Sequence, residues 1–372
     1  MAVGGKDPIW TWAFPLVGIA FFGATYTIGP EAMDALGILG VLLTVLLIAV
    51  LVGSVFAAVH HAEAVAHYTG EPYGTLVLTV AVTVIELALI VSVMLTGKGN
   101  PELARDTVYA VVMIVCNGLV GMCILFGCLR YREQSFDVTG ASIYLAVLIV
   151  LATLTLVLPN FARALPGPIY SSTQLMFISL VTIALYAVFL YTQTILHTSY
   201  FVMSSDTPAV EVETEEEAPH SIRSALLNGL FLIISVVAVV LLAKKFAGLI
   251  DEALLAWGAP HAIVGVIIAL LVLMPEGMSA LNSARRDQLQ KSLNLALGSS
   301  LATIGLTIPA VAVVNEVLKK DLVLGLEPKE MVLLFMTFAA SILTFGTGRT
   351  NILYGFLHLV IFGTFIFLTF VP

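Results

Sequence analysis

Long apolar stretches separated by short polar segments dominate the chain. A helix needs roughly 20 predominantly apolar residues to cross the hydrocarbon core of a bilayer. The stretches are continuous and do not alternate between apolar and polar positions, which excludes an outer-membrane β-barrel. We therefore predict an all-α polytopic membrane protein with about eleven transmembrane helices. The predicted spans are residues 9–26, 36–59, 74–95, 108–129, 140–158, 175–194, 225–242, 262–281, 293–318, 331–343 and 352–370.

Composition agrees with this pattern. The 372 residues are 59% hydrophobic and 11% charged, whereas soluble domains are roughly 45–50% apolar and about 25% charged. The formal net charge of −8 owes much to one acidic segment, residues 211–217, so no basic face for nucleic acid is expected. The lipid bilayer is the expected environment. Lys and Arg divide equally between the two predicted faces, which leaves the orientation undecided.

Neither the first predicted span nor the three cysteines point to a functional site. Residues 6–8, ahead of the first span, are not clearly basic, so that span is expected to stay in the mature protein instead of serving as a cleaved signal. Cys116, Cys123 and Cys128 fall within one apolar span without a Cys-x-x-Cys pair, and we predict buried free thiols.

The acidic segment also marks the clearest internal boundary. We divide the chain into a first helix and loop (residues 1–35), a five-helix half (36–200), an acidic linker (201–222) and a second five-helix half (223–372). A repeat with an odd number of helices must re-enter the membrane from the opposite side, so the halves are predicted to form an inverted repeat. The acidic linker is expected to be mainly a solvated connection, or otherwise a weak collector of cations.

Two glutamates, Glu86 and Glu276, each sit alone in a long hydrophobic run, in the second span of each half. A carboxylate at bilayer depth costs roughly 2.5–3.5 kcal/mol on insertion scales, and residues of this kind mark ion or proton pathways. The inverted repeat would bring both carboxylates near the midplane. We therefore predict that they bind the transported cation and protons.

The residues around each glutamate are polar in a helical pattern. Thr83 lies one turn before Glu86 and shares its helix face. In the second half, Pro275 lacks an N–H and Gly277 follows the glutamate, which predicts a helix break that frees a backbone carbonyl for a cation. The alternative is a simple kink, with both glutamates satisfied by neighbouring Ser and Thr hydroxyls.

The next helix of each half carries small polar residues in apolar surroundings. Asn117 lies in the first half, and Ser299 and Ser300 lie in the second. Their oxygens are candidate ligands for a cation. Small residues also let helices approach closely, so a packing role and a ligand role stay equally open for Asn117, Ser299 and Ser300.

Several motifs spread from about residue 51 to the C-terminus carry a family resemblance. They are Pro275-Glu276-Gly277, residues 293–303, His61-Ala62-Glu63-Ala64-Val65-Ala66-His67, Arg105-Asp106-Thr107-Val108-Tyr109 and residues 346–353. In these motifs the chain resembles calcium/proton exchangers of the cation/calcium exchanger superfamily, and the bacterial sodium-potassium/calcium proton antiporter branch in particular. This resemblance implies cation/proton exchange and a bacterial inner-membrane location.

One departure bears on the choice of cation. Most calcium/proton exchangers that this chain resembles have a Gly-Asn pair shortly before each repeat glutamate, where this chain has Val82-Thr83 and Val272-Leu273. Calcium takes six to eight oxygen ligands, so losing the Asn oxygens leaves sodium and potassium as alternatives.

His61, Glu63 and His67 form a second group of titratable residues near the end of a span. Their spacing is not that of a zinc protease, and we favour gating or pH sensing over a metal site made by His60, Glu63 and His67. No cofactor is expected beyond the transported Ca²⁺ or monovalent cation.

The sequence favours a secondary active transporter that exchanges cations for protons by alternating access. A passive cation channel is the alternative, because acidic residues in a pore also select cations. An enzyme is not expected, since no nucleophile–base or metal-ligand set lies at membrane depth. The sequence leaves the cation, the stoichiometry and the oligomeric state open.

Overall fold

The computed structural model describes residues 8–28, 36–70, 73–96, 101–201, 222–258, 260–318 and 322–371. It divides into two compact units, one formed by residues 1–98 and 204–256 and the other by residues 99–203 and 257–372. Each unit therefore takes helices from both halves of the sequence. The acidic linker lies outside the described residues.

The protein is built from apolar helices, as the hydrophobic pattern predicts. Nine described helices are long and apolar enough to cross a membrane, and two shorter apolar helices, Ile9–Ala24 and Val80–Val91, accompany them. We number the helices α1 Ile9–Ala24, α2 Ile38–Thr69, α3 Tyr73–Thr96, α4 Leu103–Tyr131, α5 Val138–Phe161, α6 Ser172–Leu196, α7 Ile222–Trp257, α8 Ala262–Ala284, α9 Leu289–Leu318, α10 Pro328–Phe345 and α11 Ile352–Phe370.

Each of the eleven predicted spans coincides with one of these helices, so the all-α polytopic fold is confirmed. The largest boundary errors concern α2 and α7, which continue well beyond their predicted ends at residues 59 and 242. A hydropathy pattern detects only the apolar part of a helix. Turns that carry His, Lys or Asp continue the same hydrogen-bond ladder without adding to that pattern.

Four of the helices leave α geometry for one turn. π-helical turns occur in α4, α5, α6 and α9, at Ile114–Leu119, Thr153–Val157, Thr192–Leu196 and Thr303–Thr307. The turns in α4 and α9 occupy similar places, since each lies in the helix that follows a glutamate helix. Such turns are rare and are frequently found at functional sites.

A short β-ribbon was not predicted. Strand β1 (Glu133–Ser135) pairs antiparallel with β2 (Arg349–Asn351), with Gln134 opposite Thr350. It ties the loop after α4 to the loop before α11. Strands of three residues are too short to show an alternating pattern in the sequence.

In the first unit, α1 packs closely on α2. Gly53 of α2 faces the ring of Phe14, and a side chain at that position would collide with it. The Ser54 hydroxyl donates to the Val50 carbonyl at 2.7 Å and lies 3.3 Å from the Phe14 carbonyl. Lys245 of α7 donates to the carbonyls of Thr25 and Ile28 just beyond the end of α1.

In the second unit, helices cross at glycines. A Cβ at Gly355 of α11 would lie 3.0 Å from the Gly121 carbonyl oxygen and 2.8 Å from the Leu125 nitrogen of α4. A Cβ at Gly265 of α8 would lie 2.8 Å from the backbone of Asp106, also on α4. Small residues let backbones meet at such crossings. Helix α4 is therefore held on two sides.

The crossing of α4 and α11 gives a stability prediction. Gly355→Ala should destabilise the protein by about 1–3 kcal/mol, because the added methyl meets backbone atoms that cannot move aside. Gly363→Ala on the same helix is the matched control, since among the described residues no atom beyond its own stretch of helix lies within 4 Å of its Cβ position. Thermal unfolding in detergent should show a lower midpoint for Gly355→Ala alone, and equal midpoints would contradict the close crossing.

Candidate functional site

Glu86 lies on the inward face of α3. The residue is 2% exposed, and Thr83 one turn earlier is 7% exposed. Val80 and Val84 of the same helix are each 45% exposed. The helix therefore presents Val80 and Val84 outward and buries its carboxylate, as expected for a functional acid in a membrane span.

Glu276 lies on α8 in the second unit and is partly exposed. The predicted helix break at Pro275 and Gly277 is not observed, because α8 is a continuous α-helix from Ala262 to Ala284. Proline removes one backbone donor, and a buried transmembrane helix accommodates that loss without unwinding. The carbonyl of Leu271 still lacks its usual N–H partner.

Asn117 is fully buried within the π-helical turn of α4. Its Nδ2 donates to the Thr337 hydroxyl at 2.9 Å, and its Oδ1 lies 3.1 Å from His358 Nδ1. An amide oxygen has two lone pairs, so one remains for a further partner. Leu119 of the same turn lies 3.6 Å from the Cβ position of Gly277, which places this turn beside the Glu276 helix.

The two predicted serines of α9 differ in their surroundings. Ser300 is fully buried, and its hydroxyl has no hydrogen-bond partner among the residues that the structure describes. Ser299 is partly exposed. Nearby, the Ser292 hydroxyl donates to the Ala280 carbonyl at 2.7 Å and so joins α9 to α8. Ser300 therefore offers a spare buried oxygen, while Ser292 serves packing.

These residues fall into two groups. Asn117, Glu276, Ser299 and Ser300 lie in the second unit, on the mutually packed helices α4, α8 and α9. Thr83 and Glu86 lie in the first unit. The predicted approach of Glu86 to Glu276 stays a prediction, as does the inverted relation of the two halves.

The histidine group near the end of α2 is divided between two environments. His61 is fully buried, with Nδ1 2.6 Å from Asn228 Oδ1 and Nε2 3.1 Å from the Thr11 carbonyl oxygen. Glu63 and His67 are exposed and close enough for their charges to interact, whereas His61 is set apart in the interior. Within the described part of the chain, no group of three or more His, Cys, Asp or Glu could hold a metal ion.

The three cysteines of α4 are buried free thiols, as predicted. Thiols in such surroundings behave as small apolar side chains.

Two features of the second unit were missed. One is the fully buried His358 of α11. It is an isolated titratable residue in an apolar span, and the criterion used for the glutamates would have found it.

The other is a cavity of about 260 Å³ at the start of α4. It contains a buried ion pair in which Arg105 Nη2 lies 2.8 Å from Asp106 Oδ1. Its acidic lining residues are Glu102, Asp106, Glu327 and Glu330.

Comparison with known sequences finds matches along most of the chain. The family model described as sodium/calcium exchanger protein matches residues 39–195 and 227–371. A putative ionic transporter, y4hA, of Sinorhizobium fredii (strain NBRC 101917 / NGR234) is 45% identical over 98% of this chain and 97% of its own length. The sodium-potassium/proton antiporter ChaA of Escherichia coli (strain K12) is 37% identical over 94% of this chain and 92% of its own length.

Comparison with solved structures shows the same fold at low sequence identity. Native YfkE superposes with a TM-score of 0.71 at 16% identity, covering 98% of this chain and 99% of that one. The H⁺/Ca²⁺ exchanger CAX superposes with a TM-score of 0.66 at 14% identity, covering 97% and 91%.

The spare hydroxyl of Ser300 leads to a prediction. Ser300→Ala should leave the stability unchanged or slightly higher, because it removes a buried polar group whose desolvation is not offset by a hydrogen bond. Ser292→Ala should lower stability by about 1 kcal/mol, since it removes a hydrogen bond between helices. Thermal unfolding of both variants is the measurement, and a larger loss for Ser300→Ala would show that its hydroxyl serves packing.

Proposed function

The chain belongs to the sodium/calcium exchanger protein family, and from this premise we propose that it exchanges cations for protons, with Glu86 and Glu276 as the ion-carrying groups. It is a multi-pass membrane protein. Its two relatives described above come from bacteria, which supports a place in a bacterial inner membrane.

The burial of Glu86 on the inward face of α3 carries this proposal. A carboxylate at membrane depth is retained when it serves ion movement. It can hold a proton or help to coordinate a cation, and a proton on the carboxylate removes the charge that attracts the cation. Competition for the same groups couples the two movements, provided that the site opens to one side of the membrane at a time.

Further oxygens complete the proposed site. Thr83 accompanies Glu86, while one lone pair of Asn117 Oδ1 and the hydroxyls of Ser299 and Ser300 lie on helices packed with that of Glu276. The Leu271 carbonyl, freed by Pro275, is a further candidate. Each of these is a hard oxygen donor suited to Ca²⁺, Na⁺ or K⁺.

The cation choice follows from the number of oxygens. Calcium takes six to eight, and this chain lacks the Asn oxygens that the calcium/proton exchanger pattern supplies near each glutamate. The Escherichia coli relative is named a sodium-potassium/proton antiporter. We therefore propose that Na⁺ and K⁺ are carried in addition to, or in place of, Ca²⁺.

A vesicle assay decides among these cations and tests coupling. Purified protein is reconstituted with a pH-sensitive dye inside, and Ca²⁺, Na⁺ or K⁺ is added under an imposed proton gradient. Exchange predicts a saturable proton flux for each carried cation. Cation flux that moves no protons and does not saturate would identify the alternative, a passive channel.

A gating role is proposed for the histidine region of α2. His61 joins three helices of the first unit, because its ring contacts the backbone of α1 and the side chain of Asn228 on α7. Glu63 and His67 lie exposed at the same end of α2.

Removing either charge should abolish exchange. Glu86→Gln and Glu276→Gln keep the size and polarity of the side chain but cannot ionise, so neither can bind a proton reversibly. The expected result is a loss of cation-dependent proton flux by at least about tenfold in folded, inserted protein. Glu316→Gln, which changes an exposed glutamate on α9, is the matched control. Near-normal flux in either site variant would contradict the proposal.

The shared site also has a geometric consequence. Glu86 and Glu276 should lie within about 15 Å of each other in at least one state, since one small cation must be able to reach both groups. An experimental structure with bound cation is the measurement. Larger separations in all captured states would leave two separate sites.

A further inference from the structure

A chain of four buried polar side chains crosses the second unit. It runs from Thr337 of α10 through Asn117 of α4 and His358 of α11 back to Thr344 of α10. All four residues are 0% exposed. The three links measure 2.9 Å, 3.1 Å and 3.0 Å in that order. In an apolar interior such a chain persists only if each member finds a suitable partner.

The helix crossing described above creates this chain. Gly121 and Gly355 bring α4 and α11 into backbone contact, and the Cβ of His358 lies 3.1 Å from the Cβ position of Gly121. Gly118, next to Asn117, faces the ring of Phe362 at 3.2 Å. Thr337 and Thr344 are seven residues apart, so they lie on one face of α10.

The placement of the Asn117 amide assigns roles to the atoms. Its Nδ2 donates to the Thr337 hydroxyl, which has the Leu333 carbonyl oxygen at 2.8 Å and Met113 Sδ at 3.4 Å as acceptors for its own hydrogen. The Asn117 oxygen then faces His358 Nδ1. An oxygen cannot donate, so in this arrangement Nδ1 of His358 carries a hydrogen.

The other ring nitrogen faces a partner that can adapt. The Thr344 hydroxyl lies 2.9 Å from the Ala340 carbonyl and 3.0 Å from His358 Nε2. It can donate to a bare Nε2, or donate to the carbonyl and accept from Nε2–H. A neutral ring with its hydrogen on Nδ1 satisfies the whole chain, so the Nδ1 side is fixed and the Nε2 side is not.

We propose that His358 is a positioning residue for cation/proton exchange. Its Nδ1–H holds the amide of Asn117, and through it the π-helical turn of α4, in the geometry that the exchanger requires. The turn also contains Leu119, which packs against Gly277 next to Glu276. The inference rests on the proposed function in one respect, namely that this turn borders the ion pathway.

A role as proton carrier fits the contacts less well. Both nitrogens of the ring already face side chains of α4 and α10, and a carrier must release its proton to a path. A positioning role requires only the donor at Nδ1. The two roles predict different results for substitutions that keep a hydrogen-bonding group near one ring nitrogen but cannot gain and lose a proton.

The test uses three substitutions of His358 in the full chain. In His358→Asn the side-chain amide lies near the position of Nδ1 and still donates to Asn117. In His358→Gln the amide extends toward the position of Nε2. His358→Leu keeps the bulk without a donor. Thr364→Ala on the same helix, which changes an exposed hydroxyl bonded to its own backbone, is the control.

We expect a graded result in the vesicle assay. His358→Asn should stay within about threefold of the wild type, whereas His358→Leu should raise the half-saturating cation concentration about tenfold, because the Asn117 oxygen loses its donor. His358→Gln should resemble His358→Leu. The maximal rate should change less than the half-saturating concentration. Equal impairment of His358→Asn and His358→Leu would overturn the proposal and indicate that the ring itself carries protons.

A double-mutant cycle with Asn117→Ala supplies a second readout. If His358 acts through Asn117, His358→Leu should add less than about a twofold further change in the Asn117→Ala background. Additive effects would overturn the proposal. The same cycle in thermal unfolding measures the His358–Asn117 contact without transport. Additive changes in the unfolding midpoint would overturn this inference even if the wild type exchanges ions. If the wild type shows no exchange while the midpoint changes are non-additive, only the proposed function is overturned.

Discussion

The structure depends on one constraint: the hydrocarbon core offers no water to polar groups, so each must be satisfied within the protein. Most buried hydroxyls meet it locally. Those of Thr107, Thr155 and Ser235 donate to the carbonyl four residues earlier in their own helix. A hydroxyl used in this way can only accept hydrogen bonds from other helices. A hydrogen bond between helices to such a hydroxyl therefore has a defined donor. For this reason Asn117 and His358 say more about the contacts between helices than the many serines and threonines around them.

Close helix contact is the second requirement, and it explains a reciprocal arrangement in the second unit. The last helix of the second half, α11, places Phe362 against Gly118 in the π-helical turn of α4. The last helix of the first half, α6, places Tyr186 against Gly305 in the π-helical turn of α9. Each half therefore contributes a final helix to the irregular turn of the other half. This reciprocal packing fits the predicted repeat, which rests on the helix count and on the placement of the two glutamates.

The sequence was sufficient for features that depend on composition over a long window. Within the part of the chain that the structure describes, it located all eleven of the numbered helices and the buried thiols, and it singled out Glu86, which the structure buries. It failed where one turn decides the geometry. The π-helical turns leave no hydrophobic signature, and the three-residue strands are too short to alternate. Pro275 suggested a break because proline lacks an N–H, yet the packing of α8 keeps the helix continuous. Asn117 was a candidate cation ligand from the sequence, but its partner His358 lies 241 positions away, a pairing that only the fold can produce.

The two helices that follow the glutamate helices share a π-helical turn but carry different side chains there. At the turn of α4 the polar residue is Asn117, held by His358, whereas the turn of α9 carries Thr307, which is buried without a hydrogen-bond partner among the described residues. The glutamates differ as well, since Glu86 is 2% exposed while Glu276 is partly exposed. A proton needs one basic atom, while a metal cation needs several oxygens arranged around it. We propose that these unequal surroundings let one carboxylate favour the proton and the other favour the cation, which two equivalent halves could not do.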